Sequence, residues 1–165
     1  MSISLESNAP SDFDFVIGNW SVKHCKLRDR LTGCDEWAEF DGLSSTQKIL
    51  GGFGNIEDNH LFQPEASLRA VALRSYNSET GQWSIWWLDG RFPVSLDAPL
   101  VGRFVDGVGV FLVDDMLNGR PIKVRFTWTV PVTGSRHSQL TEERLGRRTG
   151  QWCSLARVRR IAPSS

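Results

Sequence analysis

The sequence is short of cysteine and has no excess of charge of either sign. Its three cysteines are an odd number without metal-site spacing, which argues against a disulfide scaffold and is typical of reduced thiols. Nineteen Lys and Arg residues balance nineteen Asp and Glu residues, so the basic excess that drives sequence-independent nucleic-acid binding is missing. We therefore expect no nucleic-acid partner and a cytoplasmic location.

Long apolar runs and a leader-like N-terminus are also missing. No apolar stretch approaches the roughly 20 residues that a membrane-spanning helix needs. Residues 1–10 contain neither a basic segment nor an apolar one, so no signal peptide is predicted. We expect no membrane partner, and a protein that is a monomer or a homodimer.

Sustained helical periodicity is absent beyond residue 17. Short runs rich in Trp, Phe, Val, Ile and Thr alternate with turn signals that contain Gly, Asn, Asp and Pro, a pattern typical of antiparallel strands. The strands predicted from this pattern are 20–30, 35–50, 55–63, 66–76, 82–89, 100–105, 108–114, 122–130, 136–143 and 151–161.

These strands predict an all-β fold, a single antiparallel up-and-down β-barrel of about ten strands. A short helical turn is expected at 12–17, with a flexible N-terminus over 1–12 and one domain over 13–165. Closure into a barrel would remove both exposed sheet edges, and an open sandwich is the alternative for the same pattern.

Six segments spread over nearly the whole chain carry a resemblance to a known family. They are FVIGNW (15–20), WAEFDG (37–42), LGGFGN (50–55), LRSYNSETGQWSIWWLDGR (73–91), VGRFVDGVGVFLVDD (101–115) and GRPIKVRFTW (119–128). The ordered set resembles a bacterial lipocalin-like family of unknown function in the calycin superfamily, and more distantly the fatty-acid-binding-protein and nitrobindin-type barrels. The resemblance implies a barrel fold, but it assigns no activity, because fold does not fix function.

The nitrobindin-type resemblance raises the alternative of a haem-binding barrel. Those barrels use a His late in the chain as the proximal iron ligand, and His137 on the ninth predicted strand is the matching position. No haem-pocket motif surrounds His137, so a surface or rim histidine is the favoured interpretation. We otherwise expect no cofactor and no metal.

Strand alternation nominates polar residues for the barrel interior. Glu39, Arg74 and Arg125 are the candidates for polar ligand contacts, since an inward arginine can bind a ligand carboxylate in a bidentate fork. An inward Glu39 would need a cationic partner, because an unpaired buried carboxylate is costly. The alternative is that the two arginines lie on the solvent-exposed face.

Aromatic residues nominate the apolar lining. Trp83, Trp87 and Trp128 are the candidates, within a chain that holds seven tryptophans. So many rings suit either a filled core or an apolar ligand cavity, and a ten-stranded barrel is wider than the eight-stranded kind that side chains just fill.

Three functions fit these patterns. The favoured one is binding or carriage of a small hydrophobic molecule, which could carry an anionic head group. The second is a cofactor-independent enzyme, such as an isomerase, cyclase or hydratase, in which His24 and Glu39 face inward as a titratable pair; an inert His24 at the barrel end is its alternative. The third is a filled barrel that acts through its surface.

Overall fold

The computed structural model describes residues 5–28, 36–130, 136–144 and 151–160, and in the last two ranges it describes the backbone alone. The helices in these ranges are two 3₁₀ turns, Asp14–Val16 and Leu50–Gly52. Within the described part of the chain, neither is long or apolar enough to cross a membrane.

Eight antiparallel strands follow one another in an up-and-down order and form a curled half-barrel. They are β1 (Gly18–Leu27), β2 (Trp37–Ile49), β3 (Gly54–Phe62), β4 (Ser67–Asn77), β5 (Gln82–Asp89), β6 (Leu100–Val105), β7 (Val108–Leu117) and β8 (Arg120–Thr129). The backbone continues in β9 (Arg136–Arg144) and β10 (Gln151–Arg160). The predicted all-β, antiparallel architecture is confirmed over β1–β8.

The hairpin between β7 and β8 differs from the prediction. The sequence pattern predicts that β7 ends at residue 114 and β8 begins at residue 122, but the two strands pair as far as Leu117 opposite Arg120. The connection is a two-residue turn, in which Asn118 (φ 50°) and Gly119 (φ 74°) both lie in the left-handed region. Turns of this kind match the twist of the flanking strands, so pairing continues to the turn.

Residue alternation divides each strand between an inner and an outer face. On β2 the even-numbered Gly42, Ser44 and Thr46 are buried, whereas Leu43 and Ser45 between them are exposed. The same alternation on the other strands collects the apolar core on the inner face. Its main cluster contains Phe13, Val16, Trp83, Ile85, Phe111 and Trp128.

The N-terminal segment covers one end of this core. Phe13 packs edge-on against Trp83, with ring centroids 5.0 Å apart. The Trp20 indole Nε1 donates a 3.0 Å hydrogen bond to the Val16 carbonyl, and the Glu6 amide donates to the Gly51 carbonyl at 2.8 Å. These contacts tie the first 3₁₀ turn and the residues before it to the sheet at what we call the plugged end.

Candidate functional site

A group of buried polar side chains lies on the inner face of β2, β3 and β4, and we call it the polar row. Its members are Ser44, Thr46, Asn55, Glu57, Asn59 and Arg74. Strand register brings them together, because Ser44 lies opposite Asn59 and Thr46 lies opposite Glu57. Asn55 lies opposite Arg74 in the next pair of strands. Residues opposite each other on one face have neighbouring Cβ atoms, so the row is continuous across three strands.

Arg74, on β4, is the only cation of the polar row, and its side chain is only 2% exposed. Its guanidinium forms an ion pair with the Glu57 carboxylate and donates a 2.8 Å hydrogen bond to Asn55 Oδ1. The Arg74 Cζ lies 5.1 Å from the ring centroid of Phe13 and 5.4 Å from that of Trp128. The guanidinium therefore lies between a polar partner set and aromatic rings at the plugged end.

The Glu57 carboxylate is held by hydrogen bonds at both oxygens. Oε1 accepts from the Ser44 hydroxyl at 2.8 Å, and Oε2 accepts from Arg74. A buried carboxylate is tolerated when a cation balances it and donors satisfy its lone pairs. Because Arg74 and Glu57 carry opposite charges, the pair adds no net charge to the interior.

Three buried polar atoms have no hydrogen-bond partner among the described residues. They are the Thr46 Oγ1, the Arg74 Nε and the Trp128 Nε1. The indole of Trp83, in the same core cluster as Trp128, does have a partner, because its Nε1 donates to Asp12 Oδ2 at 3.0 Å. Buried polar groups are normally satisfied, so these three atoms are exceptions that require an explanation.

The three tryptophans predicted as apolar lining all lie on the inner face. Trp83 and Trp128 belong to the main core cluster near Arg74. Trp87 is half-buried farther along β5, where it packs against a second cluster that contains Leu61, Leu68 and Ala70. Their contact with a ligand stays a prediction.

Two of the polar candidates lie on the opposite face from Arg74. The inward orientation expected of Glu39 and Arg125 is wrong, because both side chains are exposed. On β2 the even-numbered residues face inward, which turns Glu39 outward. On β8 the buried residues are Ile122, Val124 and Trp128, so the intervening Arg125 faces away from the core. Among the three predicted polar contacts, Arg74 alone joins the polar row.

His24 lies on the inner face, as alternation from Trp20 predicts. Its ring stacks on Phe40 with centroids 5.0 Å apart. Burial lowers the pKa of His24 to about 4, against the opposing influence of the negative charges of Glu57 and Asp41. The ring is therefore neutral at neutral pH, and it is a weak base there.

The close approach of the His24 ring depends on Gly42. A Cβ atom at Gly42 would lie 2.8 Å from His24 Nε2 and 2.9 Å from the carbonyl oxygen of His60. Both distances are below normal contact, and the second involves backbone that cannot rotate away. Gly42 thus provides the space that the imidazole occupies.

The predicted catalytic pair of His24 and Glu39 is not formed. Glu39 lies opposite Cys25 in the β1–β2 register and is exposed, whereas His24 lies opposite Phe40 and points inward. Neighbouring residues of a strand point to opposite faces, so this pair cannot share a proton inside the sheet. The enzyme hypothesis in the form that needs this pair is wrong.

Two further predictions concern His137 as a haem ligand and the absence of a metal site. His137 lies on β9, where the described structure is the backbone alone, so its side chain is outside the described residues. Among the residues whose side chains are described, no three His, Cys, Asp or Glu groups come together as a metal site.

Sequence reasoning missed every member of the polar row except Arg74, namely Ser44, Thr46, Asn55, Glu57 and Asn59. A signal for three of them was present, since Asn55, Glu57 and Asn59 occupy alternate positions of one strand and must share a face. Alternation does not say whether that shared face is buried or exposed, and polar residues are common on an exposed face. Only the buried partner Arg74 shows why it faces inward.

No protein-family model matches this chain, and no curated protein is significantly similar to it.

Proposed function

We propose that this chain is a ten-stranded calycin-type barrel that binds a small hydrophobic molecule inside, with the polar end of the ligand at Arg74 and Trp128. The backbone register supports closure of the barrel. β9 lies antiparallel beside β8, and β10 lies beside β9. On its other side β10 runs along β1, with Arg160 opposite Trp20.

The observation that carries the proposal is the set of unpartnered atoms inside the sheet. Arg74 Nε, Trp128 Nε1 and Thr46 Oγ1 are buried and have no partner among the described residues. Leaving a buried donor unsatisfied costs about 1–3 kcal/mol. A bound polar group that accepts from these donors would remove that cost, so the interior favours a ligand with a polar end.

The apolar surroundings support a hydrophobic body for the same ligand. Phe13 lies beside Arg74 and belongs to one core cluster with Trp83 and Phe111 at the plugged end. Farther along the inner face, Trp87 and Phe40 extend the apolar surface toward the opposite end of the strands. Ligand sites that bury most of a small molecule combine such apolar linings with a few placed polar groups.

The first test is native mass spectrometry of the purified full chain, together with an absorbance spectrum of the same sample. A retained organic mass, or displacement of a bound hydrophobic fluorescent probe by long-chain lipids, is the expected result. A Soret band would favour the haem alternative through His137 instead. A chain that retains no mass and takes up no probe would overturn the proposal in favour of a filled barrel.

A matched pair of variants locates the site. Thr46→Val removes an unpartnered buried hydroxyl while keeping the side-chain shape, and is expected to weaken probe or ligand binding several-fold. Ser45→Ala changes the neighbouring hydroxyl, which is exposed and bonded to Asn19 on the outer face, and is expected to leave binding unchanged. Equal effects of the two variants would count against an interior site at the polar row.

A further inference from the structure

We infer that the polar end of the ligand is an uncharged oxygen acceptor, such as the carbonyl of a ketone, aldehyde, ester or amide, and not a free carboxylate. This inference rests on the proposed interior site and names the chemical class that the site prefers. From the sequence, an inward arginine suggests a ligand with an anionic head group. The structure leads to a different class of ligand, because Arg74 is already paired with Glu57.

The charge of Arg74 is already balanced. Its guanidinium is paired with the buried carboxylate of Glu57. A second carboxylate, Asp12, lies half-buried at the plugged end, where it accepts from the Trp83 indole. Among the residues whose side chains the structure describes, Arg74 and Glu57 are the only buried charged ones. Within that part of the chain, a ligand carboxylate would therefore add a negative charge that no further buried cation balances.

His24, a titratable group that faces the same interior, does not change the balance of charge between Arg74 and Glu57. Its ring is neutral at neutral pH, because burial lowers the pKa of His24 to about 4. Like charges in a water-poor interior repel strongly, so a carboxylate beside Glu57 would have to be protonated to stay. An uncharged carbonyl avoids this cost.

The unused hydrogen-bonding capacity also matches a carbonyl. The Arg74 Nε–H and the Trp128 indole N–H can only donate, whereas the Thr46 hydroxyl can donate or accept. The Arg74 Cζ lies 5.4 Å from the Trp128 ring centroid, so the two obligate donors belong to groups in contact. A carbonyl oxygen has two lone pairs and can accept from both. Unlike a ligand hydroxyl, it brings no proton that must itself find an acceptor, and unlike a protonated amine it places no second cation beside Arg74.

The test compares ligands that share one alkyl chain and differ at the polar end. The probes are 2-tridecanone, dodecanoate, 1-dodecanol and dodecane, titrated at neutral pH into the full chain against a bound hydrophobic fluorophore. We expect the ketone to bind at least about tenfold more tightly than the carboxylate, since like-charge juxtaposition costs several kcal/mol and each 1.4 kcal/mol is about tenfold. The alcohol and the alkane are expected to lie below the ketone.

Glu57→Gln tests the charge argument directly. The substitution keeps an acceptor oxygen for Arg74 and removes the negative charge, so the preference should move toward dodecanoate by about tenfold or more. Asp58→Asn is the matched control, because Asp58 is the next residue of β3 and pairs with the exposed Arg69 on the outer face. It is expected to leave the ketone-to-carboxylate ratio unchanged.

Trp128→Phe keeps the test decisive if Glu57→Gln fails to fold. It removes one unpartnered donor, so ketone affinity should fall several-fold while dodecane affinity stays the same. A wild-type preference for dodecanoate, or a ketone preference that Glu57→Gln does not alter, would overturn the inference and leave the proposed function standing. If none of the four probes binds, the proposed function fails and the inference fails with it.

Discussion

Arg74 and Arg69 lie on opposite faces of β4, and each binds a carboxylate of β3 that is two residues away from its direct partner in the register. Arg74 lies opposite Asn55 and binds Glu57, whereas Arg69 lies opposite His60 and binds Asp58. The Arg74 side chain is 2% exposed and that of Arg69 is 60% exposed. Both ion pairs therefore join β4 to β3 with the same two-residue offset, and they differ mainly in whether the side chains are buried or exposed.

This contrast predicts very different costs of breaking the two pairs. Arg74→Met leaves the Glu57 carboxylate buried without its cation, which typically costs about 3–5 kcal/mol. Arg69→Met breaks an exposed pair, for which about 0–1 kcal/mol is expected. Urea unfolding of both variants measures the two free energies. Similar losses would show that burial does not govern the Arg74–Glu57 pair.

The two core tryptophans near Phe13 differ in whether their indole N–H has a partner. Trp83 donates to Asp12, whereas the Trp128 N–H has no partner among the described residues. Trp83→Phe is therefore expected to lose the worth of a hydrogen bond to a charged group, about 1.5–3 kcal/mol, beyond the packing loss common to both variants. Trp128→Phe removes an unsatisfied buried donor, so its packing loss should be offset by about 1–3 kcal/mol. Equal losses in chemical unfolding would indicate that the Trp128 N–H is satisfied.

The buried His24 predicts a pH dependence of stability. The unfolded chain binds a proton at this ring near pH 6.5, and the folded chain only near pH 4. Between these values the unfolded state carries more protons, so stability falls as the pH decreases from about 6.5 to about 4, and His24 accounts for up to about 3 kcal/mol of that loss.

His24→Gln isolates this contribution, because it removes the titrating group from the same site. Urea unfolding at a series of pH values should show a shallower acid loss for the variant than for the wild type across this window. An NMR titration of the His24 ring in the folded chain should give a midpoint well below that of an exposed imidazole. Parallel stability curves for variant and wild type would contradict the predicted role of His24.

The N-terminal segment predicts that stability depends on a residue outside every strand. Phe13 is 2% exposed and packs edge-on against Phe104, with centroids 4.9 Å apart, as well as against Trp83. Phe13→Ala is expected to cost about 3–5 kcal/mol. Phe92→Ala, at a residue that is 61% exposed in the β5–β6 connection, should cost no more than about 0.5 kcal/mol. A small effect of Phe13→Ala in thermal or urea unfolding would show that the plugged end opens without loss of the fold.

Most of the strand content could be predicted because its cause is local. β5 and β6 begin and end at their predicted residues, since Gly, Pro and Asn turn signals bound short runs of strand-forming residues. The predicted β7–β8 hairpin is too short, because the turn over Asn118 and Gly119 holds the strands in register past Asp114 as far as Leu117.

The candidate site was predictable only in part. Alternation correctly grouped His24 with Trp20, and Trp83 with Trp87, because the period of a strand is two. The polar row was missed, since Ser44, Asn55 and Glu57 resemble ordinary solvent-facing residues until a buried cation is placed beside them.

Alternation along each strand places its side chains on two opposite faces, and the sequence alone determines which residues share a face. It places Glu39 and Phe40 on different faces, yet it does not say which face is inside. That choice depends on curvature and on contacts between strands distant in sequence, such as the Arg74–Glu57 pair and the packing of Phe13 on Trp128. Local backbone geometry therefore decided the strands and their two faces, whereas the tertiary structure decided that Arg74 is buried and that Glu39 and Arg125 are exposed.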